Sequence, residues 1–217
     1  MIVNISTDQN TGLCLPLREI KMIIKRICFA LFFLNVSCQF VQAEDNSERQ
    51  IGSCRIMPKT NCVGADLRNA DLRHVNLSNA NLARADLRGA NLVRADLRHA
   101  NFKGADLRGA NLESVQAWAA FFQGAKFNNA SLRGGNFEFA RLSGAKLIDA
   151  DLQSANFEMT WFAKADLTRA NLTNANLQEA KFYNADLKGA VMEGAIKRYA
   201  IFQDAYMQGC DACPHDW

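Results

Sequence analysis

The residues most suggestive of chemistry lie at the C-terminus, where Cys210-Asp-Ala-Cys213-Pro-His215 closes the chain. A Cys-x-x-Cys pair can attach haem, run a redox cycle or supply half of a zinc site. Haem attachment needs histidine directly after the second cysteine, and Pro214 displaces it. A zinc site takes more ligands than this end of the chain supplies. A redox pair belongs at a helix start within a βαβ unit, so that reading depends on the fold the pair terminates. His74 and His99 have no serine, cysteine or acid recurring beside them as nucleophile or base, and they read as solvated surface residues. No Gly-rich phosphate loop, metal-spaced cluster or isolated acid pair appears in the sequence. No catalytic residue, cofactor or metal is therefore expected.

Charge narrows the partners. The 217 residues carry 25 Lys+Arg and 22 Asp+Glu, for a formal net charge of +3. That balance gives no sign of a strongly acidic nucleic-acid mimic or of a strongly basic nucleic-acid binder. Hydrophobic residues at 49% and charged residues at 22% describe a folded chain rather than a disordered one. Length alone favours a single domain.

The first 43 residues read as an address. Met22-Ile-Ile-Lys-Arg26 is a short basic start, Ile27–Val36 an apolar run, and Val41-Gln-Ala43 a small-residue cleavage site ahead of Glu44. This is the pattern of a secretory signal peptide. Asn35, Ser37 and Gln39 break the apolar run well short of the ~20 residues a membrane span needs. A lipid-attachment reading at Cys38 fits poorly, because Asn35 holds the place three before it. Residues 1–21 look like an upstream extension, with Met22 the better start. Cleavage after Ala43 would remove Cys14, Cys28 and Cys38 and leave Cys54, Cys62, Cys210 and Cys213, an even number suited to disulfides in an exported chain.

What positions the remaining residues is a period of five. From Ala65 the chain runs ADLRN ADLRH VNLSN ANLAR ADLRG, and centres spaced by five from Leu67 to Met207 make 29 repeats without an insertion. Only Ala117 and Lys197 depart from Leu, Phe or Met at the centre. Alanine stands two residues before it everywhere except Val75, Val115, Gly135 and Thr160. On a helix this spacing would scatter the apolar residues over every face, and it is not the alternation of a long strand. It fits a coil that turns a corner every five residues, with alanine and the central residue both inside. A second period of 20 is visible as well. Asp-Leu-Arg recurs at 66–68, 86–88 and 106–108, and Phe102, Phe122, Phe162, Phe182 and Phe202 fall in one class.

The pattern A-(D/N)-(L/F)-x-x resembles the pentapeptide-repeat family over about 145 of the 217 residues. The resemblance implies an all-β fold, a right-handed quadrilateral β-helix of about seven coils, roughly 35 Å long at strand spacing. It divides the chain into an extension and signal peptide (1–43), an N-terminal cap (44–64), the β-helix (65–209) and a C-terminal cap (210–217). Glycine at the last place of repeats such as Gly89 and Gly144 is expected to ease the corners. On that fold the two cysteine pairs sit at opposite ends, too far apart for the ~7 Å Cα separation a disulfide tolerates. Cys54–Cys62 and Cys210–Cys213 are then the pairings left within one molecule, each a staple on a cap. A redox role loses its βαβ setting.

Two surface features follow from the 20-residue stacking. Arg68, Arg88 and Arg108 should rise in a ladder beside Asp66, Asp86 and Asp106, a salt-bridged face rather than a phosphate footprint. Phe121, Arg141, Trp161, Lys181 and Ile201 should form an outward column in which aromatic and cation alternate. Trp118 and Phe139 fall near the same corner. Such a patch suggests a partner surface; equally, these side chains could cover a flaw where Ala117 underfills its inward site. Lys197, inward by register, predicts a local bulge near the C-terminus. The combined expectation is a secreted, non-enzymatic scaffold that presents this surface to another protein, with no nucleic acid as partner and no stable membrane span after signal cleavage. The alternative comes from the family branch that protects DNA gyrase by imitating DNA. That branch relies on an acidic surface and a C-terminal dimerisation helix. Here residues 65–209 hold 18 basic and 15 acidic residues, and only eight residues follow the last repeat.

Overall fold

A β-turn at every fifth residue builds the coil. The structure is a computed structural model and describes residues 49–214. In each turn the central residue's carbonyl accepts from the amide three residues later, as in Ala70 N–H to Leu67 O at 3.1 Å and Ala105 N–H to Phe102 O at 3.0 Å. The third turn residue is left-handed in every repeat from Gly64 to Gly209, with φ between 53° and 67°. A positive φ at that place alone is what a type II turn requires. Glycine holds only some of these corners; His99, Phe139 and Met159 hold others. The register, not glycine, imposes the left-handed corner, and residues with a Cβ accept a steric cost there that stacking must offset.

Stacking joins each side to the one a coil later. Residues 20 apart form 27 parallel bridges among the described residues, from Asn61↔Asn81 to Val191↔Asp211. Each bridge is a pair of backbone hydrogen bonds, such as Leu67 N–H to Asp86 O at 2.8 Å and Asp86 N–H to Ala65 O at 2.9 Å. Four turns fit one 20-residue coil, so the coil has four sides. The Asp or Asn before each centre also holds its own turn: the Ser78 amide donates to Asn76 Oδ1 at 3.0 Å, and the Glu138 amide to Asn136 Oδ1 at 3.1 Å.

Inside, small and large residues alternate. Central residues such as Leu67, Leu87 and Phe127 are fully buried, as are the alanines two before most centres. Each buried Leu or Phe contributes roughly 1.5–3 kcal/mol. Because the backbone sets the coil spacing near 4.8 Å, like residues in one column meet at stacking distance. Phe162, Phe182 and Phe202 stack with centroids 4.8 and 4.7 Å apart and rings inclined by 4° and 2°. The small Ala117 sits beside the larger Val115, and one coil on Gly135 makes room for Phe137. A Cβ at Gly135 would lie 2.6 Å from the Phe137 ring and 3.2 Å from Val115.

The ends are closed differently. Strand β1 (Arg49–Ile51) pairs antiparallel with β2 (Cys54–Ile56), and Ile51 and Ile56 pack on the first coil. Cys54 is bonded to Cys62 across a Cα separation of 5.1 Å. Cys62 is itself the centre of a repeat: its amide donates to Asn81 O at 2.7 Å, so regular pairing begins before Ala65. At the other end Cys210 and Cys213 are bonded with Cα atoms 5.7 Å apart, and buried Cys213 touches the Met192 sulfur at 3.6 Å. The bulge predicted at Lys197 does not form. Pairing runs through it, with Ile196 N–H to Ala175 O at 2.9 Å and Leu177 N–H to Ile196 O at 2.8 Å. Lys197 stays in register because the end of the core offers acceptors: its ammonium donates to Ala212 O at 2.6 Å and Met192 O at 3.4 Å. The signal-peptide reading and His215 lie outside the described residues. Among the described residues no helix is long and apolar enough to cross a membrane.

Candidate functional site

One side of the coil, whose inward centres include Phe102, Phe122, Leu142, Phe162 and Phe182, carries the aromatic column. The residues before the last four of these centres, Phe121, Arg141, Trp161 and Lys181, are successive bridge partners and point outward. Arg141 lies over the Phe121 ring at 5.6 Å, and the Lys181 ammonium lies over Trp161 at 4.3 Å. Lys103 also lies over Phe121, at 5.4 Å. The ring face is the negative pole of the aromatic quadrupole, so each contact at an exposed site contributes roughly 0.5–1 kcal/mol. Trp161 nevertheless keeps 44% of its surface open to solvent. Ile201 ends the column, also exposed.

The adjoining corner carries a second aromatic group. Trp118 meets His99 edge-on with centroids 4.8 Å apart and meets Phe139 edge-on at 5.8 Å. Ser78, Asn79, Arg98, His99 and Trp118 line a shallow pocket there. Trp118 precedes Phe121 by three residues and Phe139 precedes Arg141 by two, so the pair and the column flank one turn. Ala117 is fully buried, as are Val115 and Phe137.

In the early repeats arginines and aspartates satisfy one another. Arg68 binds both oxygens of Asp66, Nε at 2.8 Å and Nη2 at 2.6 Å. Arg73, Arg88, Arg98 and Arg108 hold Asp71, Asp86, Asp96 and Asp106 in the same way. The hydrogen bonds from Arg68 hold the Asp66 carboxyl down to about 2, and Arg73 holds Asp71 lower still. Asp86, Asp96 and Asp106 are likewise lowered, chiefly by their own arginines. The column's side differs. Between 81 and 184 it bears Arg84, Lys103, Arg141, Lys164 and Lys181 and no Asp or Glu. Among the described residues none of these five is in an ion pair.

The family pattern described as Pentapeptide repeats matches in eight copies over residues 60–97, 76–113, 120–158 and 161–194, more than half of the chain. The chain belongs to the pentapeptide-repeat family. It is similar to the pentapeptide-repeat protein Rfr23 of Cyanothece 51142, at 28% identity over 42% of this chain and 63% of that one, with a TM-score of 0.42. HetL of Nostoc sp. strain PCC 7120, a pentapeptide-repeat protein involved in heterocyst differentiation regulation, is 27% identical over 70% and 87% of the two chains, with a TM-score of 0.34. QnrB1, a plasmid-mediated fluoroquinolone resistance protein, is 17% identical over 71% and 82%, with a TM-score of 0.43. Comparison with curated proteins gives no significant match.

For a pentapeptide-repeat chain the outward residues distinguish one member from another, since the inward ones are dictated by the coil. The sequence places Phe121, Arg141, Trp161 and Lys181 by their 20-residue spacing, and the structure brings them together. It misses Lys103, because that contact runs along a diagonal: a residue after a centre meets the one before a centre 18 residues on. The same offset joins Arg133 to Asp151 at 2.9 Å and Ser131 to Glu113 at 3.2 Å. A search at spacing 18 as well as 20 would have found it. His99 is exposed as expected, and its ring also meets Trp118, a contact the spacing did not indicate.

Proposed function

We propose that this pentapeptide-repeat protein is an exported, non-enzymatic scaffold, a right-handed quadrilateral β-helix of about seven coils that docks another protein on the surface formed by Trp118, Phe121, Phe139, Arg141, Trp161 and Lys181. The observation that carries this reading is the cation–π column on a side that bears no Asp or Glu between 81 and 184. Aromatic and arginine side chains dominate binding energy at interfaces, and an exposed cluster of them calls for a partner. Export is supported by the cysteines: the four in the described residues form two disulfides, bonds that persist in oxidising compartments. Among the described residues no group of three or more His, Cys, Asp or Glu is placed to hold a metal. The DNA-mimic alternative gains no support from the Asp66–Asp106 region. There each lowered carboxylate is already bound by its own arginine.

A photo-crosslinking amino acid in place of Ser143, in the full chain, would test the docking surface. The expected result is one crosslinked protein in the envelope or extracellular fraction, lost in the F121A/W161A variant. A crosslink that survives both substitutions overturns the reading. Intact mass with and without reduction and alkylation tests export separately: a chain beginning at Glu44 with no free thiol supports it, and a full-length cytosolic chain with free thiols refutes it.

A further inference from the structure

We propose that the side of the coil running from Arg84 to Lys181 binds an acidic peptide segment in the polyproline II conformation, laid along the direction of stacking. This rests on the reading of the same face as a docking surface and names what docks there.

Charge sets the sign of the occupant. The sides holding Asp66, Asp71 and Asp96 interleave acids with cations; on the first, Asp66, Asp86, Asp106, Asp149 and Asp166 are held in ion pairs, and on the others Asp71, Asp151 and Asp96 are. The side from 81 to 184 carries Arg84, Lys103, Arg141, Lys164 and Lys181 with no carboxylate. Arg141 and Lys181 engage ring faces and no carboxylate among the described residues, and a cation over a ring can still donate to a carboxylate.

Spacing sets the conformation. Bridged residues advance one coil, about 4.8 Å, so Phe121 to Trp161 and Arg141 to Lys181 are each about 9.6 Å apart along the stack. A polyproline II helix repeats every three residues at about 3.1 Å each and returns the same face after about 9.3 Å. An extended strand returns it after about 6.8 Å, and two turns of α-helix after about 10.8 Å. Only the first keeps step with the column over successive contacts. Every third side chain of the peptide, if acidic, then meets a cation, while the intervening proline rings pack on Phe121 and Trp161. Aromatic surfaces suit this ligand because its backbone is already ordered before binding and loses little entropy.

The test is fluorescence anisotropy at low salt with the full-length protein and a labelled fifteen-residue peptide of Pro-Pro-Glu repeats. Three controls accompany it: Pro-Pro-Lys repeats, a flexible Gly-Ser-Glu peptide of equal charge, and single-stranded oligo-dT. The Pro-Pro-Glu peptide should bind, about tenfold more tightly than the flexible acidic one, and weaken as salt rises. Pro-Pro-Lys should not bind. W161A, and separately R141Q/K181Q, should each weaken binding about fivefold or more, while K126Q/K188Q on another side should leave it unchanged. All these side chains face outward, and thermal melting verifies that each variant folds. Equal affinity for the flexible peptide, tighter binding of oligo-dT, no binding of Pro-Pro-Glu, or indifference to W161A overturns the proposal. If the F121A/W161A variant loses its crosslinked partner while Pro-Pro-Glu does not bind, the docking surface stands and the peptide assignment falls. If the crosslink survives that variant, the surface reading itself falls.

Discussion

Asp66 and Arg68 pair within a single repeat, whereas Asp149 and Arg169 pair across 20 residues, from one coil to the next. The same contrast holds for the two halves of the coil. In the early repeats five arginines are each folded back on an aspartate two residues before, and the inward centres from Leu67 to Leu97 are all leucine. In the later repeats ion pairs cross between coils, as with Arg133–Asp151 and Lys146–Asp166, and phenylalanine stacks enter the core. The outward column changes with them. Asn81 and Asn101, joined side chain to side chain at 3.0 Å, give way to Phe121, Arg141 and Trp161. A carboxylate that binds its own arginine removes both charges from recognition. In the later half that pairing within the repeat is absent among the described residues, and cohesion comes from ion pairs between coils and from ring stacks.

The largest effect should come from the core. Phe182→Ala removes the middle ring of a stack with partners at 4.8 and 4.7 Å and should cost about 3–5 kcal/mol in urea denaturation. Leu87→Ala in the early half should cost less, near the lower end of about 2–5 kcal/mol. Equal losses would break the distinction between the two cores.

Next come the caps. Replacing Cys54 and Cys62 by serine should cost about 2–3 kcal/mol, because their bond closes a loop with a sequence separation of 8. The same change at Cys210 and Cys213, with a separation of 3, should cost less. Hydrogen exchange would show where the loss falls: in the first coil for one variant, in the last for the other. A reversed order would mean that the C-terminal end, where Lys197 donates to Ala212 O, leans more heavily on its disulfide.

Gly135→Ala probes the seam between the halves. The added methyl meets the Phe137 ring and should destabilise by about 1–3 kcal/mol. In the Phe137→Leu background the penalty should shrink, since the smaller side chain vacates that space. Additive losses in the double variant would show that the two residues are not coupled.

The smallest effect is that of pH. Asp66 is held down to about 2 by Arg68, against about 3.9 when unfolded. A lowered folded value contributes stability above the unfolded pKa and loses it as pH falls through the folded one, so the loss should develop between about pH 4 and pH 2. In the later half Asp166 is also lowered, although burial opposes it; the Thr168 hydroxyl and amide and Lys146 outweigh that cost. Carboxyl-carbon NMR of Asp66 should report a midpoint near 2. A midpoint near 4 would show the arginine swinging free in solution and would erase the electrostatic contrast.

Much of the molecule was legible in one dimension because the coil reuses one solution. Period five places the inward residues, and period 20 places the phenylalanine stacks and the Phe121–Lys181 column. Cys54 and Cys62 lie near one end and Cys210 and Cys213 near the other, as the repeat count alone requires. These features follow from backbone geometry that every repeat shares, so spacing suffices to find them. Tertiary structure decided the rest, wherever a side chain had a choice of neighbour. Arg68 turned to its own Asp66, while Arg169 reached to Asp149 a coil away. Lys103 found Phe121 along the diagonal, and Phe137 filled the room left by Gly135. Lys197 stayed in register because carbonyls waited at the end of the core. Long side chains have several partners within reach once the coils are stacked, and only the packed geometry selects among them.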